Sequence, residues 1–376
     1  MDSQGPEKLR EVVVACPQER DRREVAAAEL ESRFRVRFAG PDLDATDDFD
    51  AEAVVAELAA VPADGMVGTK DRSALAAALA AARQGLPGPA PEALVRCQHK
   101  PTARAVALAA VPEATPRFGP PGELEPPFFV KPAVGRLSQG FDDPYVRGWL
   151  ALAELAGFDG EVGLLAEELL TGDEVTLEGY VHAGRVTTVG VTDSVMYPGT
   201  WSFERFEYPS RLPPPRWEEM HGIAARLLPA LGFDGGFFNV EYFVPKTGPV
   251  RVTEVNGRIA SQFAPLVRAL HGRSTYDALF ELACGDDPRW APGRPDGVAI
   301  SYVMRVFEDA LVEAVPEPEE SLEVLVRPGL RLSEQGAAND ASSYRLAIFV
   351  ESGETREEAL TRCRERARRL AFRLRP

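Results

Sequence analysis

The sequence predicts a multidomain protein of the α/β and α+β classes, and three features of the chain indicate it. Strand and helix patterns alternate over residues 11–83, which is typical of a parallel sheet. Further on, two strands joined by a short turn carry carboxylates and amides where core residues would normally lie. A strand-rich segment that ends in a helix follows the Pro- and Gly-rich run of residues 288–297. A chain of 376 residues is long enough for about two or three domains with large cores.

The first predicted domain covers residues 1–88 and alternates short apolar runs with helical periodicity. Strands are predicted at residues 11–15, 34–38 and 65–68, and helices at residues 21–33, 51–60 and 71–83. The first strand is not followed by GxGxxG, and residues 65–70 lack the GxxxxGK[ST] spacing. The sequence therefore indicates a parallel sheet without a dinucleotide fingerprint or a P-loop.

Two proline-rich segments predict the domain boundaries. Residues 86–91, LPGPAP, interrupt the helical pattern because proline fixes φ and removes an N–H donor. Together with residues 288–297, they divide the chain into domains at 1–88, 89–290 and 291–376. The last is predicted to be small, with strands at residues 301–306 and 344–350 and a helix at residues 356–373. The basic residues near its end are interpreted as a solvated helix face.

Composition and charge narrow the class of protein. The net charge of −16 and the pI near 4.9 argue against a nucleic-acid partner, which would need clustered Lys and Arg. The four cysteines are widely spaced and form no CxxC pair, so neither a zinc site nor a disulfide framework is indicated. An apolar signal segment and an apolar run of about 20 residues are also lacking. We therefore expect no membrane partner and a reducing, cytoplasmic location.

The central pair of strands predicts a metal site. A turn at residues 245–249 would place Glu241 opposite Glu254, with Asn239 and Asn256 on the same face. Facing like charges repel, and carboxylate and amide oxygens are the ligands that Mg²⁺ prefers. The alternative is a solvated sheet face on which each carboxylate lies near a Lys or Arg. The amide and guanidinium of Asn256-Gly257-Arg258 favour the metal site.

Upstream of these strands, a lysine and a glycine-containing loop suit a phosphate. A strand at residues 128–131 ends in Lys131, and its loop contains Gly135, Ser138 and Gly140. Such a loop can direct N–H groups and a hydroxyl at phosphate oxygens, while the lysine supplies a charge. The alternative is a solvated hairpin tip. Lys100, which precedes a proline, is a further candidate, and the alternative interpretation is a lysine at a solvated helix end.

Residues 164–174 suit a nucleoside. An apolar stretch is interrupted by two acids and is followed by Thr-Gly-Asp-Glu and a strand at residues 175–181. Adenine needs an apolar slot with polar partners, and a ribose diol needs a carboxylate, which Glu167 and Glu174 could supply. The alternative is a pair of acids on the surface beside a turn.

Five motifs in this order make the chain resemble the carboxylate–amine ligases of the ATP-grasp superfamily, above all the L-amino-acid (dipeptide) ligases. They are Lys100, the KPAVGRLSQG run of residues 131–140, the EELLTGDE run of residues 167–174, Glu241, and the EVNGR run of residues 254–258. The resemblance covers roughly residues 10–270. It implies an ATP-grasp core with a mobile lid at about residues 115–170, a metal-binding hairpin at residues 235–258 and a small C-terminal β-rich domain.

The resemblance also implies roles for the matching residues. ATP would be bound by Lys100, Lys131, Gly135, Ser138, Gly140, Glu167, Glu168, Leu169, Leu170 and Glu174. In this group the lysines and the glycine loop contact phosphates, residues 167–170 hold the adenine, and Glu174 holds the ribose. Two Mg²⁺ ions, with Mn²⁺ as the alternative, would be bound by Glu241, Glu254 and Asn256. Arg258 would be the catalytic residue that steadies the acyl phosphate and the tetrahedral adduct.

The chain departs from this family just after the metal-binding strand. Related ligases often have proline between the asparagine and the arginine and glycines afterwards, whereas this chain has Gly257 and then Ile-Ala-Ser-Gln. The departure leaves the substrate open. Candidates for contacting it are Ser261, Gln262, Trp201 and Arg305, the last because Arg binds carboxylates bidentately.

The function implied by the resemblance is ligation of a carboxylic acid, such as an amino acid, to an amine through an acyl phosphate. The partners would then be small-molecule acids and amines, with a homodimer as one option for assembly. Two alternatives remain: transfer of the acyl group to an acceptor other than an amine, and a regulator that binds nucleotide without turnover. The retained Glu241, Glu254, Asn256 and Arg258 disfavour the regulator.

Overall fold

The structure is a computed structural model that describes residues 9–46, 48–135, 143–291, 295–317, 319, 321–336, 339–340 and 343–376. In this part of the chain the strands form one sheet of nine strands, two sheets of three and one of two. None of the helices in these ranges has the length and apolar character needed to cross a lipid bilayer.

The N-terminal elements alternate between strand and helix, as the sequence predicts. They are β1 Arg10–Ala15, α1 Glu19–Ala27, β2 Phe34–Ala39, α2 Ala51–Ala59, β3 Gly65–Val67 and α3 Asp71–Gln84. Strand β1 lies between β2 and β3 and pairs in parallel with both. Helix α1 ends well before the predicted end at residue 33, because Glu29 takes a left-handed conformation with a φ of 52°.

Helix α3 lies inside the core, and its residues 72–81 are all buried. Its alanines allow α2 and the later helices to approach closely. Gly68 precedes it, and a Cβ at Gly68 would lie 2.2 Å from the carbonyl carbon of Ser73. Only glycine permits this tight passage from β3 into α3. The first residues of α3 are therefore held against the core.

The predicted lid range contains a sheet of its own. The elements that follow α3 are α4 Pro91–Gln98, α5 Lys100–Ala110, β4 Phe118–Gly119, β5 Phe128–Pro132, α6 Pro144–Leu155 and β6 Leu164–Glu168. Strand β6 pairs antiparallel with both β4 and β5. The mobility of this segment stays a prediction.

The rest of the chain builds the nine-stranded sheet and the layers around it. Its first elements are β7 Asp173–His182, β8 Arg185–Met196, β9 Phe203–Tyr208, α7 Pro214–Ala230, β10 Gly236–Val244, β11 Arg251–Asn256, α8 Ala264–His271 and α9 Thr275–Ala283. They are followed by β12 Val298–Val306, β13 Leu311–Ala314, β14 Leu322–Val324, β15 Asn339–Asp340, β16 Ser343–Gly353, α10 Arg356–Arg369 and β17 Arg373–Arg375. The strand order is β11-β10-β7-β8-β9-β12-β16-β14, and β15 pairs with β16.

Two features of this part differ from the sequence prediction. Helix α10 ends at Arg369, before the predicted end at residue 373, because the chain turns extended and forms β17. Strands β12 and β16, from the predicted third domain, continue the same sheet as β7 to β11. The domain boundaries themselves stay predictions.

Candidate active site

The hairpin of β10 and β11 has the register that the sequence predicts. Glu241 pairs with Glu254, and Asn239 pairs with Asn256. Successive side chains of a strand alternate between the two faces, so these four residues share one face of the sheet. The predicted arrangement of two facing carboxylates is therefore confirmed.

Strand β7 extends this polar face on the other side of β10. Its residues Glu174, Thr176 and Glu178 alternate along the strand, with Thr176 opposite Glu241 and Glu178 opposite Asn239. The structure thus brings the predicted Glu174 to the same face as the hairpin carboxylates. Glu178 was missed by the sequence reasoning, although acids at positions 174 and 178 of one strand could have indicated it.

The carboxylates of this face repel one another when they are ionised, and this repulsion adds to the effect of burial on their pKa values. Burial, and to a lesser extent the charges of Glu254 and Glu174, raise the pKa of Glu241 to about 8. Burial also raises the pKa of Glu174 to about 7, with a smaller contribution from Glu254. A bound cation would remove this repulsion and favour the ionised forms.

The donor atoms of the hairpin fit a magnesium ion that is shared with phosphates. The Asn256 amide nitrogen donates to Asn239 Oδ1 at 2.9 Å and lies 3.4 Å from Glu241 Oε1, which leaves the Asn256 carbonyl oxygen able to ligate. Over the described ranges, no three His, Cys, Asp or Glu side chains form a metal cluster by themselves. Two carboxylates and one amide match the way Mg²⁺ is bound with substrate phosphates completing its shell.

Glu167 lies in the interior between two cations, Arg104 and Lys131. Its carboxylate is 2.6 Å from Arg104 Nε and 2.8 Å from Lys131 Nζ, and the Glu167 residue is only 3% exposed. Lys131 Nζ also donates to the Thr253 carbonyl oxygen at 3.0 Å, and Arg104 donates to the same oxygen. We call Glu167, Arg104 and Lys131 the Glu167 triad. Arg104 was missed by the sequence reasoning, and its place one helical turn after Lys100 is the signal that could have found it.

Lys100 lies between the hairpin and the start of the glycine loop. Its Nζ donates to the Gly135 carbonyl oxygen at 2.9 Å and lies 3.5 Å from Glu254 Oε1. Its backbone N–H donates to the Ala133 carbonyl oxygen at 2.8 Å. The structure therefore brings Lys100, Gly135 and Glu254 together. The predicted loop residues Ser138 and Gly140 lie outside the described residues.

In the segment predicted to hold adenine, at the end of β6, two backbone N–H groups already form hydrogen bonds. The Glu168 N–H donates to the Arg117 carbonyl oxygen, and the Leu169 N–H donates to the Pro127 carbonyl oxygen. The Glu168 carboxylate pairs with Arg117 at 3.0 Å and Arg251 at 2.5 Å. For the Leu170 N–H, no partner occurs among the described residues.

Arg258 is held by a carboxylate that the sequence reasoning missed. Its Nε lies 2.5 Å from Asp71 Oδ1, and the Tyr145 hydroxyl donates to Asp71 Oδ2 at 3.0 Å. Burial by itself lowers the pKa of Arg258, but the charge and hydrogen bond of Asp71 outweigh it and raise the pKa overall. Arg258 is therefore a fixed cation at the end of the hairpin.

The turn after Arg258 is fixed by the polar face. Asn239 Nδ2 donates to the Arg258 carbonyl oxygen at 2.9 Å, and the Ala260 N–H donates to Glu178 Oε1 at 2.8 Å. Gly257 keeps a negative φ, and a Cβ there would lie 2.6 Å from Leu94. Close packing, and not a left-handed turn, therefore requires glycine at this position.

Replacing Glu178 with Gln is expected to stabilise the protein above pH 8. Glu178 is 2% exposed, and burial raises its pKa from the ordinary value of 4.5 to about 8. Between these values the folded protein binds a proton that the unfolded chain has released, so stability falls as pH rises. The amide can still accept the Ala260 N–H, and above pH 8 we expect a gain on the order of 1–2 kcal/mol. Melting temperatures of both proteins across this pH range are the measurement, and parallel curves would contradict the expectation.

A cavity of about 190 Å³ lies over the polar face and reaches the N-terminal sheet. Its polar lining includes the predicted residues Glu174, Glu241, Arg258, Ser261 and Gln262. Its aromatic wall and further cations are Phe203, Phe206, Phe263, Arg20 and Lys70. The structure thus joins the hairpin carboxylates to a partly apolar space large enough for a small molecule.

Two residues predicted to contact substrate lie elsewhere. Trp201 is 75% exposed in the turn between β8 and β9 and does not line the cavity. Arg305 donates to the Phe203 carbonyl oxygen at 2.8 Å and to the Ser343 hydroxyl at 2.9 Å. Arg305 therefore braces the strand that carries Phe203.

At the level of sequence, the chain is similar to a curated protein of unknown function. No family model matches the chain. An uncharacterised protein of Sinorhizobium fredii, y4rH, is 28% identical over 293 residues, which are 70% of this chain and 59% of that protein. The chain therefore spans less than two thirds of the length of this curated relative.

Three solved structures share the architecture over 98% of this chain. An L-amino acid ligase from Bacillus licheniformis has a TM-score of 0.76 at 18% identity, with 100% of its chain covered. Phosphoribosylglycinamide synthetase from Anaerococcus prevotii has a TM-score of 0.69 at 14% identity, also with 100% covered. The biotin carboxylase domain of the Hydrogenobacter thermophilus 2-oxoglutarate carboxylase, in complex with MgADP and bicarbonate, has a TM-score of 0.69 at 15% identity, with 92% covered. The chain has the fold of these enzymes, which is the ATP-grasp fold.

Proposed function

We propose that the protein is an ATP-dependent ligase that joins a carboxylic acid to an amine and releases ADP and phosphate. The observation that carries this proposal is the pairing of Glu241 with Glu254 beside Asn256, with the fixed cation Arg258 at the end of the same hairpin. The ATP-grasp fold and the cavity over these residues support it. The solved ligase and synthetase of similar fold supply the reaction class.

Glu241, Glu254 and Asn256 are the residues that would hold Mg²⁺, with Lys100 beside them. Bound Mg²⁺ would neutralise charge on the β- and γ-phosphates during phosphoryl transfer. Lys100 Nζ, between Glu254 and the Gly135 carbonyl, adds positive charge where those phosphates would rest. The hairpin itself contributes rigid placement, because both carboxylates come from paired strands.

The nucleoside would lie along residues 167–174. Leu170 offers a backbone N–H to an adenine edge, and Glu174 offers a carboxylate to the ribose hydroxyls. The side chain of Glu167 is engaged with Arg104 and Lys131, so its part in adenine binding stays a prediction. In this proposal the Glu167 triad holds β11 in place through the Thr253 carbonyl oxygen, next to Glu254.

Arg258 would orient the acid. The carboxylate oxygen forms a bond to the γ-phosphorus as the bond from that phosphorus to ADP breaks, which gives an acyl phosphate. The amine nitrogen then attacks the acyl carbon, phosphate leaves with the electrons of the carbon–oxygen bond, and the amine releases a proton. Asp71 fixes the guanidinium so that it can stabilise negative charge on the acyl oxygen without rearrangement.

ADP release, measured against pairs of acids and amines with Mg²⁺ present, tests the proposal. The expected result is release that needs both substrates, with an amide identified by mass spectrometry. Release with an acid but independent of any amine would favour transfer to another acceptor. Nucleotide binding without ADP release for any pair would favour the regulator and overturn the ligase.

A further inference from the structure

The cavity opens at the carboxyl ends of β1 and β3. Because β2 and β3 lie on opposite sides of β1, the direction of winding reverses between β1 and β3. In open α/β sheets, ligands bind beyond the carboxyl ends of the strands at such a reversal. Arg20 follows β1, Lys70 follows β3, and both line the cavity. The N-terminal sheet therefore contributes two cations to the proposed substrate site.

The hairpin carboxylates and these two cations interact with different sets of charged groups. The charges that act on Glu241 are those of Glu254, Glu174, Arg258 and Lys131. The charges that act on Lys70 come instead from Arg20, Arg258, Asp44 and Asp21. Arg258 is common to both groups. Arg258 therefore interacts both with the hairpin carboxylates and with the cations contributed by the N-terminal sheet.

Within the described part of the chain, the ammonium group of Lys70 lacks a carboxylate partner. Arg258 pairs with Asp71, and Arg20 lies 2.6 Å from Glu323. Lys70 Nζ donates to the Ser261 hydroxyl at 3.2 Å, and no described carboxylate forms an ion pair with it.

Asp21 and Asp44, two acids whose charges act on Lys70, are engaged by other groups. Asp21 accepts hydrogen bonds from the hydroxyls of Thr69 and Tyr276, and Asp44 pairs with Arg72. Burial, followed by the charges of Arg20 and Arg258, lowers the pKa of Lys70 to about 7. An anion placed here would relieve the cost of a charged lysine without a counterion.

We infer that Lys70 binds a second anionic group of the acid substrate, so that the substrate is a dianionic acid such as a dicarboxylate. The inference rests on the proposed function and names the substrate class for it. One carboxylate lies at Arg258 and is phosphorylated, while the second contacts Lys70 beside Ser261. Phe203, Phe206 and Phe263 contact the hydrocarbon between the two groups. Ser261 thereby has a role at the place where the chain departs from related ligases.

The test compares Lys70→Met with Lys70→Arg and with Lys246→Met, which removes an exposed lysine in the turn between β10 and β11. ADP release is measured with dicarboxylic acids, with monocarboxylic acids of equal length, and with acids in which a phosphonate replaces the second carboxylate. We expect wild type to prefer dianionic acids. Lys70→Met should raise KM for them by about 10- to 100-fold, with KM for ATP unchanged, because a charged hydrogen bond is lost. Lys70→Arg should retain most of the preference, and Lys246→Met all of it.

Equal efficiency of wild type with monocarboxylic and dicarboxylic acids would overturn the inference while leaving the ligase intact. A similar KM increase for both acid classes in Lys70→Met would also overturn it. If no acid gives ADP release, the proposed function fails, and calorimetric binding of the dicarboxylates still decides the role of Lys70. Tighter binding to wild type than to Lys70→Met would support the site, and equal binding would contradict it. A preference for the phosphonate acids would identify phosphate as the second group.

Discussion

Replacing Glu254 with Gln is expected to lower the rate of ADP release by about 100-fold or more. Gln keeps the shape of the side chain but removes one of the two charges that face each other on the hairpin. Transition-state charge on the phosphates would then be less well neutralised, and losses of this size follow removal of a single stabilising group. Initial rates at saturating ATP, with Mg²⁺ varied, are the measurement.

The matched control for this variant is Glu218→Gln, which changes an exposed glutamate on α7. It should retain the wild-type rate. We also expect Glu254→Gln to need more Mg²⁺ for half-maximal rate, since a ligand has been lost. An unchanged rate and Mg²⁺ requirement would remove Glu254 from the metal site and leave its pairing with Glu241 without a function.

Replacing Glu167 with Gln is expected to destabilise the fold by about 3–5 kcal/mol. The change leaves Arg104 and Lys131 buried without a charge partner, and breaking a buried ion pair from one side has costs of this size. The midpoint of urea unfolding should fall accordingly. The effect differs from that of Glu254→Gln because it is present without nucleotide or metal.

Glu168→Gln is the control for the Glu167 variant, since it changes the next residue of the same strand. Its partners Arg117 and Arg251 are both more exposed than Arg104 and Lys131, so these ion pairs are better screened by water and the expected loss is about 1 kcal/mol. Equal midpoint shifts for the two variants would show that burial of the Glu167 triad contributes little.

The hairpin could be predicted from sequence because its contacts are local. A short turn and the period of two are enough to place Glu241 opposite Glu254 and to bring Asn239 and Asn256 to the same face. The βαβ pattern of the first domain was predictable for the same reason. Each of its elements shows its own periodicity, and each connection is short.

The partners of Arg258 and Ser261 could not be predicted, because they come from the other end of the chain. Asp71 is 187 residues from Arg258, and Lys70 is 191 residues from Ser261. No periodicity connects positions so far apart. Arg104 is a different case: a helical arginine is ordinarily expected at the surface, and only its place one turn after Lys100 could have indicated that it is buried against Glu167.

Residues 185–208 form two strands, β8 and β9, that are joined by a turn. From this segment only Trp201 was predicted to contact the substrate, and the structure places Trp201 in the exposed turn between β8 and β9. The strand after the turn, and not the turn itself, supplies Phe203 and Phe206 to the cavity.

The continuity of the nine-stranded sheet ties the cavity to the last third of the chain. Strand β9 pairs on its far side with β12, where Ser301 lies opposite Phe206 and Tyr302 opposite Arg205. A protein shortened before Val298 would leave this side of β9 as a bare edge with unsatisfied backbone groups, prone to pairing with other chains. The aromatic wall would lose its backing at the same time. The C-terminal strands are therefore part of the scaffold that shapes the cavity, and the cavity cannot be excised as a smaller unit.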